Sequence, residues 1–265
     1  MKTIGSATWI AAVRARESER PDRLFNDPYA RALAGDAGFA MMARSEAARD
    51  GRPNPFIPVR VRWFDDLTLA AIPPASQVVL LGAGLDTRPF RLDVPPDVEW
   101  FEVDRRRVLA AKDELLAGET PRCRRHTVGA DLREDWVTPL LGAGYDRNAT
   151  TLWLAEGLFF YLTEPMIVDL LRRAKELSAP GSSFAADVIG TTGLDGPAMQ
   201  PYRDYCARTN LPPPFGADDP AALFAKGGWE PRHVTAPGAP DANFGRFPDQ
   251  PGGVIAGRTH LVVGA

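Results

Sequence analysis

Two glycines and an acidic side chain follow the first strongly apolar run of the sequence. The run Gln77–Leu81 leads into a turn that contains Gly82, Gly84, Asp86 and Thr87. Glycine permits a tight turn and lets a ligand approach the backbone closely. A dinucleotide-binding turn has a third glycine where Thr87 stands, so that pyrophosphate can meet the following helix. Asp86 would repel a pyrophosphate and attract a cation. The alternative is a simple glycine turn that leads into a helix capped by Asp86 or Thr87.

Three more acidic residues come at the carboxyl ends of predicted strands. They are Asp104, which lies 22 residues after Gly82, and then Asp131 and Glu156. A carboxylate at the end of the second strand binds the hydroxyls of a ribose, whereas an aspartate that caps the following helix is the alternative for Asp104. Because the carboxyl ends of parallel strands share one edge of a sheet, these acidic residues are expected to lie close together. A nucleoside with a cationic group fits such an edge, and a diphosphate does not.

The elements that must position these residues alternate between strand and helix, which predicts an α/β fold with a doubly wound sheet of seven strands. The predicted strands are 77–81, 98–103, 126–130, 150–155, 183–189, 231–235 and 259–263, with the last one antiparallel. Helical patterns cover 6–19, 28–49, 59–72, 105–116, 165–178 and 220–226. Residues 1–72 are predicted to form a helical cap and residues 73–265 a catalytic domain. Two long connections in that domain, 190–220 and 236–258, are predicted to contact the substrate.

The composition excludes several classes of protein. The chain has 265 residues and a net charge of −3, so no strongly basic surface indicates a nucleic-acid partner. No apolar run reaches the ~18–20 residues of a membrane span. Cys123 and Cys206 are the two cysteines and form no C-x-x-C pair, which predicts a reducing compartment, the cytoplasm, and no metal cluster. We therefore expect a cytoplasmic bacterial protein with a small-molecule partner, and no nucleic acid or membrane.

Several separated segments of the chain resemble the motifs of the leucine carboxyl methyltransferase family, in the same order. They are RPDRLFNDPYARALA (20–34), RVRWFDDL (60–67), VVLLGAGLDTRPFRL, FEVDRRRVLAAK, GADLRE and LWLAEGLFFYLT. The resemblance covers residues 8–190. It implies a class I methyltransferase-like fold, S-adenosyl-L-methionine as the cofactor, and O-methylation of a small molecule, in keeping with the bacterial and polyketide O-methyltransferases that the family includes.

The resemblance also implies which residues hold the methionine part of the cofactor. Arg60 would pair with the methionine carboxylate, which suits the planar fork of arginine. Gly82 would accept from the ammonium through its carbonyl, and Glu156 would balance the positive charge. Arg62 is an alternative to Arg60 in the same segment, and Arg14 or Arg16 is a further candidate contact.

For the nucleoside part, the resemblance assigns Asp104 to the ribose hydroxyls. It assigns the Asp131 carboxylate and the backbone N–H of Leu132 to adenine. Gly84 and Asp86 complete the cofactor-binding turn.

The acceptor is expected to be a carboxylate or an acidic enol or phenol. A carboxylate is already ionised at neutral pH, whereas a phenol or an alcohol usually needs a general base, most often histidine. Of the three histidines, only His260 is predicted to lie near the active edge of the sheet, and a satisfied strand residue is the alternative for it. Substrate contacts are expected from five residues of the connections and the motif that follows Glu156: Tyr161, Tyr202, Arg203, Tyr205 and Arg246. A core position is the alternative for Tyr161, and a solvated loop charge is the alternative for each arginine.

Two other functions remain open at this point. A nicotinamide-dependent oxidoreductase shares the glycine turn and the acidic residue at position 104, although Asp86, Thr87 and Glu156 argue against it. An inactive module that only binds a nucleoside is the other possibility.

Overall fold

Seven strands within the described residues form one sheet. The computed structural model describes residues 4–47, 49–196, 199–209, 211–247 and 259–265. The strands are β1 (Gln77–Leu81), β2 (Glu99–Asp104), β3 (Arg124–Gly129), β4 (Thr151–Ala155), β5 (Ser183–Ile189), β6 (Pro231–Thr235) and β7 (Thr259–Gly264). Their order across the sheet is β3-β2-β1-β4-β5-β7-β6. Parallel pairs join β1 to β4, β2 to β3 and β4 to β5, whereas β7 is antiparallel to both β5 and β6. The predicted α/β fold with an antiparallel last strand is confirmed.

Central strands of the sheet are buried along their whole length. Every residue of β1 and β4 is buried, and so are the five inner residues of β5. Strands covered by helices on both faces need apolar side chains on both faces, which explains the continuous apolar runs in the sequence. The carboxyl ends of these strands are therefore held by a rigid scaffold.

Ten α-helices and one short 3₁₀ turn are present in the described part of the chain. The helices are α1 (Ile4–Ser18), α2 (Ala30–Ala47), α3 (Phe56–Ala71), α4 (Arg88–Arg91), α5 (Arg106–Leu115), α6 (Val137–Gly142), α7 (Glu164–Leu177), α8 (Thr191–Leu194), α9 (Gln200–Thr209) and α10 (Pro220–Lys226), and the 3₁₀ turn is Phe159–Tyr161. Helix α2 is shorter than the predicted 28–49 and is interrupted at Gly35, where φ is 52°. Only glycine adopts this left-handed conformation readily, so the interruption falls where the sequence permits it. None of the described helices has the length and apolar character needed to cross a membrane.

The chain divides into two compact units. The first comprises residues 1–74 and 83–143, and the second comprises residues 75–82 and 144–265. In the first unit, the three N-terminal helices share one apolar core with the segment after the glycine turn. That core includes Ala11, Leu33, Val61, Leu85 and Phe90. The helices predicted as a separate cap thus pack with the residues that follow β1.

In the second unit, one aromatic cluster lies between the sheet and the helices. Phe184 of β5 packs against Phe159, Phe224 and Trp229, with ring centroids 5.5–6.3 Å apart. Helix α7 turns a stripe of apolar residues inward at the spacing of a helix: Ile167, Leu170, Leu171, Ala174 and Leu177. Helix α10 begins where the Asp219 side chain accepts a hydrogen bond from the Ala222 N–H.

Two predicted elements differ from the structure. The connection 190–220, expected to lack regular structure, contains helices α8 and α9, because a run without proline, residues 202–209, allows a helix between the proline-rich parts. Strand β3 begins at Arg124 and ends at Gly129, so His126 is its third residue rather than its first.

Candidate functional site

The glycine turn after β1 has the backbone conformation that its sequence predicts. Gly82 and Gly84 have φ angles of 70° and 50°, in the left-handed region that favours glycine. A Cβ atom at Gly82 would lie 3.0 Å from Cδ1 of Leu158. At the next residue, the Ala83 N–H donates to the Val103 carbonyl at 3.2 Å and so holds the backbone of the turn. The turn therefore cannot carry larger side chains at Gly82 without a local shift.

Asp104 is the last residue of β2, and its carboxylate binds the glycine turn. Oδ2 accepts a hydrogen bond from the Gly84 N–H at 2.8 Å, and Oδ1 accepts one from the Arg105 N–H at 2.7 Å. Burial raises the pKa of Asp104, and the two N–H donors and the charges of Arg105 and Lys112 oppose this rise. An ionised carboxylate has about four acceptor positions, so it retains capacity for two hydroxyls. Helix α5 begins two residues later, at Arg106, without a side-chain cap, so capping is not the main role of Asp104.

Asp131 lies two residues beyond the end of β3. Its Oδ1 atom accepts hydrogen bonds from the N–H and the Nε–H of Arg133, at 3.0 and 2.9 Å. These bonds to Arg133 hold the pKa of Asp131 at about 2, against a small opposing effect of burial. The carboxylate is therefore a hydrogen-bond acceptor at neutral pH, as recognition of an amine requires. The neighbouring Leu132 is partly buried.

The two arginines proposed for the methionine carboxylate differ in their surroundings. Arg60 is 7% exposed, and its guanidinium lies 5.3 Å from the ring of Phe56. Arg62 is half-exposed and binds the Asp66 carboxylate and the Leu24 carbonyl, each at 2.8 Å.

The other two arginines considered for the cofactor are paired within the protein. Arg14 donates to the Asp27 carboxylate at 2.9 Å and to the Leu85 carbonyl at 2.7 Å, and Arg16 pairs with Glu46. Arg14 therefore fixes the backbone at Leu85, in the segment that follows the glycine turn.

Asp86 faces a cation of the protein itself. Its carboxylate pairs with Arg88 and also accepts from the Arg88 backbone N–H at 2.8 Å. Burial opposes the charge of Asp86, yet the positive charges of Arg88, Lys112, Arg91 and Arg14 hold its pKa below the usual value. The cation that the sequence predicted for Asp86 is thus present as Arg88. Thr87 caps no helix, because its hydroxyl donates to Asp27 at 2.7 Å.

Asp86 belongs to a group of six charged side chains in the first unit that we call the buried ion cluster. Its members are Arg14, Asp27, Asp65, Asp86, Arg88 and Arg91. This cluster was not predicted from the sequence. The motifs RPDRLFNDPYARALA and RVRWFDDL supply Asp27 and Asp65, but charged residues in a motif do not by themselves indicate burial.

In the second unit, Glu156 follows β4 and is anchored through the next residue. Gly157 has a φ of 64°, and its N–H donates to Oδ1 of Asp187 at 2.5 Å. Asp187 lies on β5 and is 4% exposed. Asp187 was not predicted as a site residue, although an aspartate inside the apolar run SFAADVI indicates a buried polar group. The bond joins the ends of β4 and β5 where Glu156 leaves the sheet.

The rings of two residues shortly after Glu156, Phe160 and Tyr161, pack with the ring of Tyr202 on α9. The ring of Tyr161 lies 3.9 Å from that of Phe160 and 5.5 Å from that of Tyr202, the latter pair in an edge-to-face arrangement. Tyr161 is 41% exposed, whereas the neighbouring Phe159 is part of the core. The alternative of a core position for Tyr161 is therefore wrong. The group offers ring faces and edges to a bound molecule.

Arg203 contacts neutral acceptors. Its guanidinium donates to Oε1 of Gln200 at 2.5 Å and to the carbonyls of Asp195 and Gly196 at 3.4 Å, and it makes no ion pair within the described residues. Arg246 lies in a turn where its N–H donates to the Asn243 carbonyl at 3.0 Å. The side chain of Tyr205 and the part of the connection 236–258 beyond residue 247 lie outside the described residues.

All three histidines lie within the described ranges. His126 binds the Glu99 carboxylate at 2.6 Å, and His233 binds the Asp241 carboxylate at 2.8 Å. His260 pairs in the sheet with Val188, near the carboxyl end of β5, as predicted. Its Nε2 atom is buried and has no hydrogen-bond partner in the described part of the chain. Burial lowers the pKa of His260, against the charges of Asp218 and Asp219.

The sequence matches a known family and several of its bacterial members. The model of the family "Leucine carboxyl methyltransferase" matches residues 7–175. A protein of Parafrankia is 47% identical over 195 residues, which are 70% of this chain and 62% of that protein. A protein of Streptomyces coelicolor is 37% identical over 270 residues, covering 95% of this chain and 93% of that protein. Both carry the name "Putative S-adenosyl-L-methionine-dependent methyltransferase".

Solved structures share the fold at low sequence identity. The crystal structure of a DUF574 family protein from Streptomyces avermitilis has a TM-score of 0.62 and 20% identity, over 96% of this chain and 95% of the other. The CcbJ methyltransferase from Streptomyces caelestis has a TM-score of 0.52 and 17% identity, over 81% of this chain and 91% of the other. These likenesses establish the architecture of the sheet and its helices.

Proposed function

Because the chain belongs to the leucine carboxyl methyltransferase family, we propose that it transfers a methyl group from S-adenosylmethionine to an oxygen atom of a small molecule. The fold is that of class I methyltransferases. The observation that carries the proposal is the bond between the Asp104 carboxylate and the Gly84 N–H, which puts an acidic strand end beside the glycine turn.

The residues present fit this cofactor. Asp104 retains acceptor positions for ribose hydroxyls, and Asp131 is an ionised acceptor for an exocyclic amine. Arg60 supplies a guanidinium for a carboxylate, and Gly82 and Glu156 supply a carbonyl and a carboxylate for an ammonium group. Asp86, which pairs with Arg88, is proposed to shape the turn.

S-adenosylmethionine supplies an electrophilic methyl group on a sulfonium sulfur. The protein itself must bind the cofactor and the acceptor, orient the acceptor and exclude water. Such a displacement gains most of its rate from the positioning of the two reactants. The hydrogen bond between the Gly157 N–H and Asp187 fixes the backbone next to Glu156, the residue proposed to balance the ammonium charge of the cofactor.

We propose that the acceptor atom is a carboxylate oxygen or the oxygen of an acidic enol or phenol. An acceptor with a pKa near ~4 is ionised at neutral pH and needs no general base. Two of the three histidines support this choice, because His126 and His233 are bound to carboxylates.

Tyr161, Tyr202 and Arg203 are proposed to contact the acceptor. The exposed ring of Tyr161 offers an apolar face, and Arg203 offers a guanidinium that no carboxylate of the described chain neutralises. A molecule that joins a planar or apolar body to an acidic oxygen suits both groups.

The test is a transfer assay with methyl-labelled S-adenosylmethionine and a panel of carboxylic acids, enols, phenols and alcohols. We expect S-adenosylhomocysteine to form with carboxylic acids or acidic enols and phenols. A methyl ester releases labelled methanol in mild base, whereas an ether keeps its label, so the treatment separates the acceptor classes. Transfer to simple alcohols alone would contradict the proposed acceptor, and transfer to nitrogen or carbon would contradict O-methylation.

A further inference from the structure

Asp65 is the central carboxylate of the buried ion cluster. It lies on α3 and is 3% exposed. Its Oδ1 atom accepts hydrogen bonds from Nε of Arg88 and Nη2 of Arg91, both at 2.7 Å, and its Oδ2 atom accepts one from Nη1 of Arg91 at 2.6 Å. Three charge-assisted bonds to one buried carboxylate fix both arginines in position.

The cluster reaches the segment after the glycine turn at three successive residues. Arg14 donates to the Leu85 carbonyl at 2.7 Å, Arg88 pairs with the Asp86 side chain, and the Thr87 hydroxyl donates to Asp27. The same segment is tied to Gly84 and Ala83, since the Asp86 N–H donates to the Ala83 carbonyl at 3.0 Å. Leu85 and Thr87 are thus held by Arg14 and Asp27 of the N-terminal part, and Asp86 is held by Arg88 of α4.

The charges of the cluster balance. Three carboxylates (Asp27, Asp65 and Asp86) face three guanidiniums (Arg14, Arg88 and Arg91). Arginine keeps its charge in proteins, so removal of one carboxylate leaves an excess positive charge in a buried place. Arg88 and Arg91 would then repel each other, and Arg88 would keep Asp86 as a carboxylate partner but lose the position that Asp65 fixes.

We propose that Asp65 is a positioning residue for cofactor binding, acting through Arg88 and Arg91 on the turn 82–87 without touching the cofactor itself. The inference rests on the proposed function, because it takes this turn as part of the cofactor site. The N-terminal motif RVRWFDDL, which contains Asp65, is distant from the turn in the sequence. It would nevertheless contribute to the affinity for the cofactor.

The test is the binding of S-adenosylhomocysteine to Asp65→Asn, measured by calorimetry on the full-length protein. We expect the Kd to rise about tenfold, the size of effect that a residue acting through another usually has. The amide resonance of Gly84 in a ¹⁵N-labelled sample should also shift in the free variant. A role in stability alone would leave both readouts unchanged.

Two variants serve as controls. Asp66→Asn removes the adjacent carboxylate, which pairs with Arg62 outside the cluster, and should leave the Kd unchanged. Leu33→Ala makes a cavity in the core of the first unit. It should lower the melting temperature without shifting the Gly84 resonance, which separates loss of stability from loss of positioning.

Thr87→Val is the second test, and it decides the matter if Asp65→Asn does not fold. It removes the hydroxyl that binds Asp27 and keeps the shape of the side chain, so we expect a Kd raised about threefold in a fully folded protein. An unchanged Kd in Thr87→Val and in any folded Asp65→Asn overturns the inference. Wild-type protein that fails to bind S-adenosylhomocysteine at all overturns the proposed function instead.

Discussion

The carboxylate of Asp104 accepts a hydrogen bond from the backbone N–H of Gly84 at 2.8 Å. The bond connects the end of β2 to the second glycine of the turn after β1. The acidic side chain and the turn therefore hold each other in place before any ligand arrives. Loss of either partner should affect ligand affinity more than the fold, because the bond lies at a strand end.

Asp104→Ala is expected to weaken S-adenosylhomocysteine binding by about 1.5–3 kcal/mol, the usual value of hydrogen bonds to a charged group. Calorimetry gives the change in Kd directly. Glu114→Gln, which removes an exposed carboxylate from α5, should bind as the wild type does. An equal Kd for Asp104→Ala and wild type would return Asp104 to a purely structural role.

The wild-type protein is expected to bind S-adenosylmethionine and S-adenosylhomocysteine but not NAD. The turn carries Asp86 and Thr87 instead of the third glycine that a pyrophosphate requires. Titration of all three ligands under one condition tests this selectivity. Binding of NAD without either sulfur nucleoside would favour the oxidoreductase alternative.

The rate of the chemical step is expected to be nearly flat between about pH 6 and 9 with a carboxylate acceptor, because that acceptor titrates well below this range. His260→Gln should keep the rate within about tenfold, whereas loss of a general base costs about a hundredfold or more. Single-turnover rates across the pH range measure both effects. A rate that rises with pH in the wild type and not in His260→Gln would identify His260 as a base for a hydroxyl acceptor.

His260 is also expected to make stability depend on pH. Burial lowers its pKa in the folded state below the value near 6.5 of the unfolded chain. The unfolded state then binds more protons in this window, so the stabilisation present above about pH 6.5 is lost as the pH falls through the folded pKa. Thermal unfolding at pH 7.5 and 5.5 should show a larger loss of Tm for wild type than for His260→Gln. The opposite order would mean that Asp218 and Asp219 outweigh burial.

Arg203→Met is expected to raise the KM for an acidic acceptor by about tenfold to a hundredfold, because a charge-assisted pair is lost. The KM for the cofactor should change little. Arg172→Met is a matched control, since Arg172 is an exposed arginine paired with Asp169 and Glu176 on α7. Equal effects on both substrates would point to a disturbed helix rather than a lost contact.

The fold and the glycine turn could be predicted from the sequence because their signals are local. A buried parallel strand reads as one apolar run, and Gly82 and Gly84 mark the turn that follows it. Asp104 could be predicted as a site residue because the sequence shows where the run of the second strand ends. Short-range patterns of this kind also located β7 and its antiparallel direction.

The buried ion cluster could not be predicted, because its contacts join distant parts of the chain. Thr87 and Asp27 are 60 residues apart, and Arg14 and Leu85 are 71 residues apart. Charged residues in amphipathic helices are normally assigned to the solvent face, so the pattern gave no reason to bury Asp65. Helix α9 was missed for a different reason, since the prolines around it hid a short helical segment.

The position of β7 has a consequence for how the sheet is assembled during synthesis. β7 follows β6 in the chain but lies between β5 and β6, and β6 is hydrogen-bonded in the sheet to β7. While the ribosome makes the chain, β6 emerges first and has no partner strand to join. The hydrogen bonds between β6 and β7 can form only after β7 is released. The nascent chain therefore passes through a stage with an incomplete sheet, in which β5 is an open edge available to chaperones.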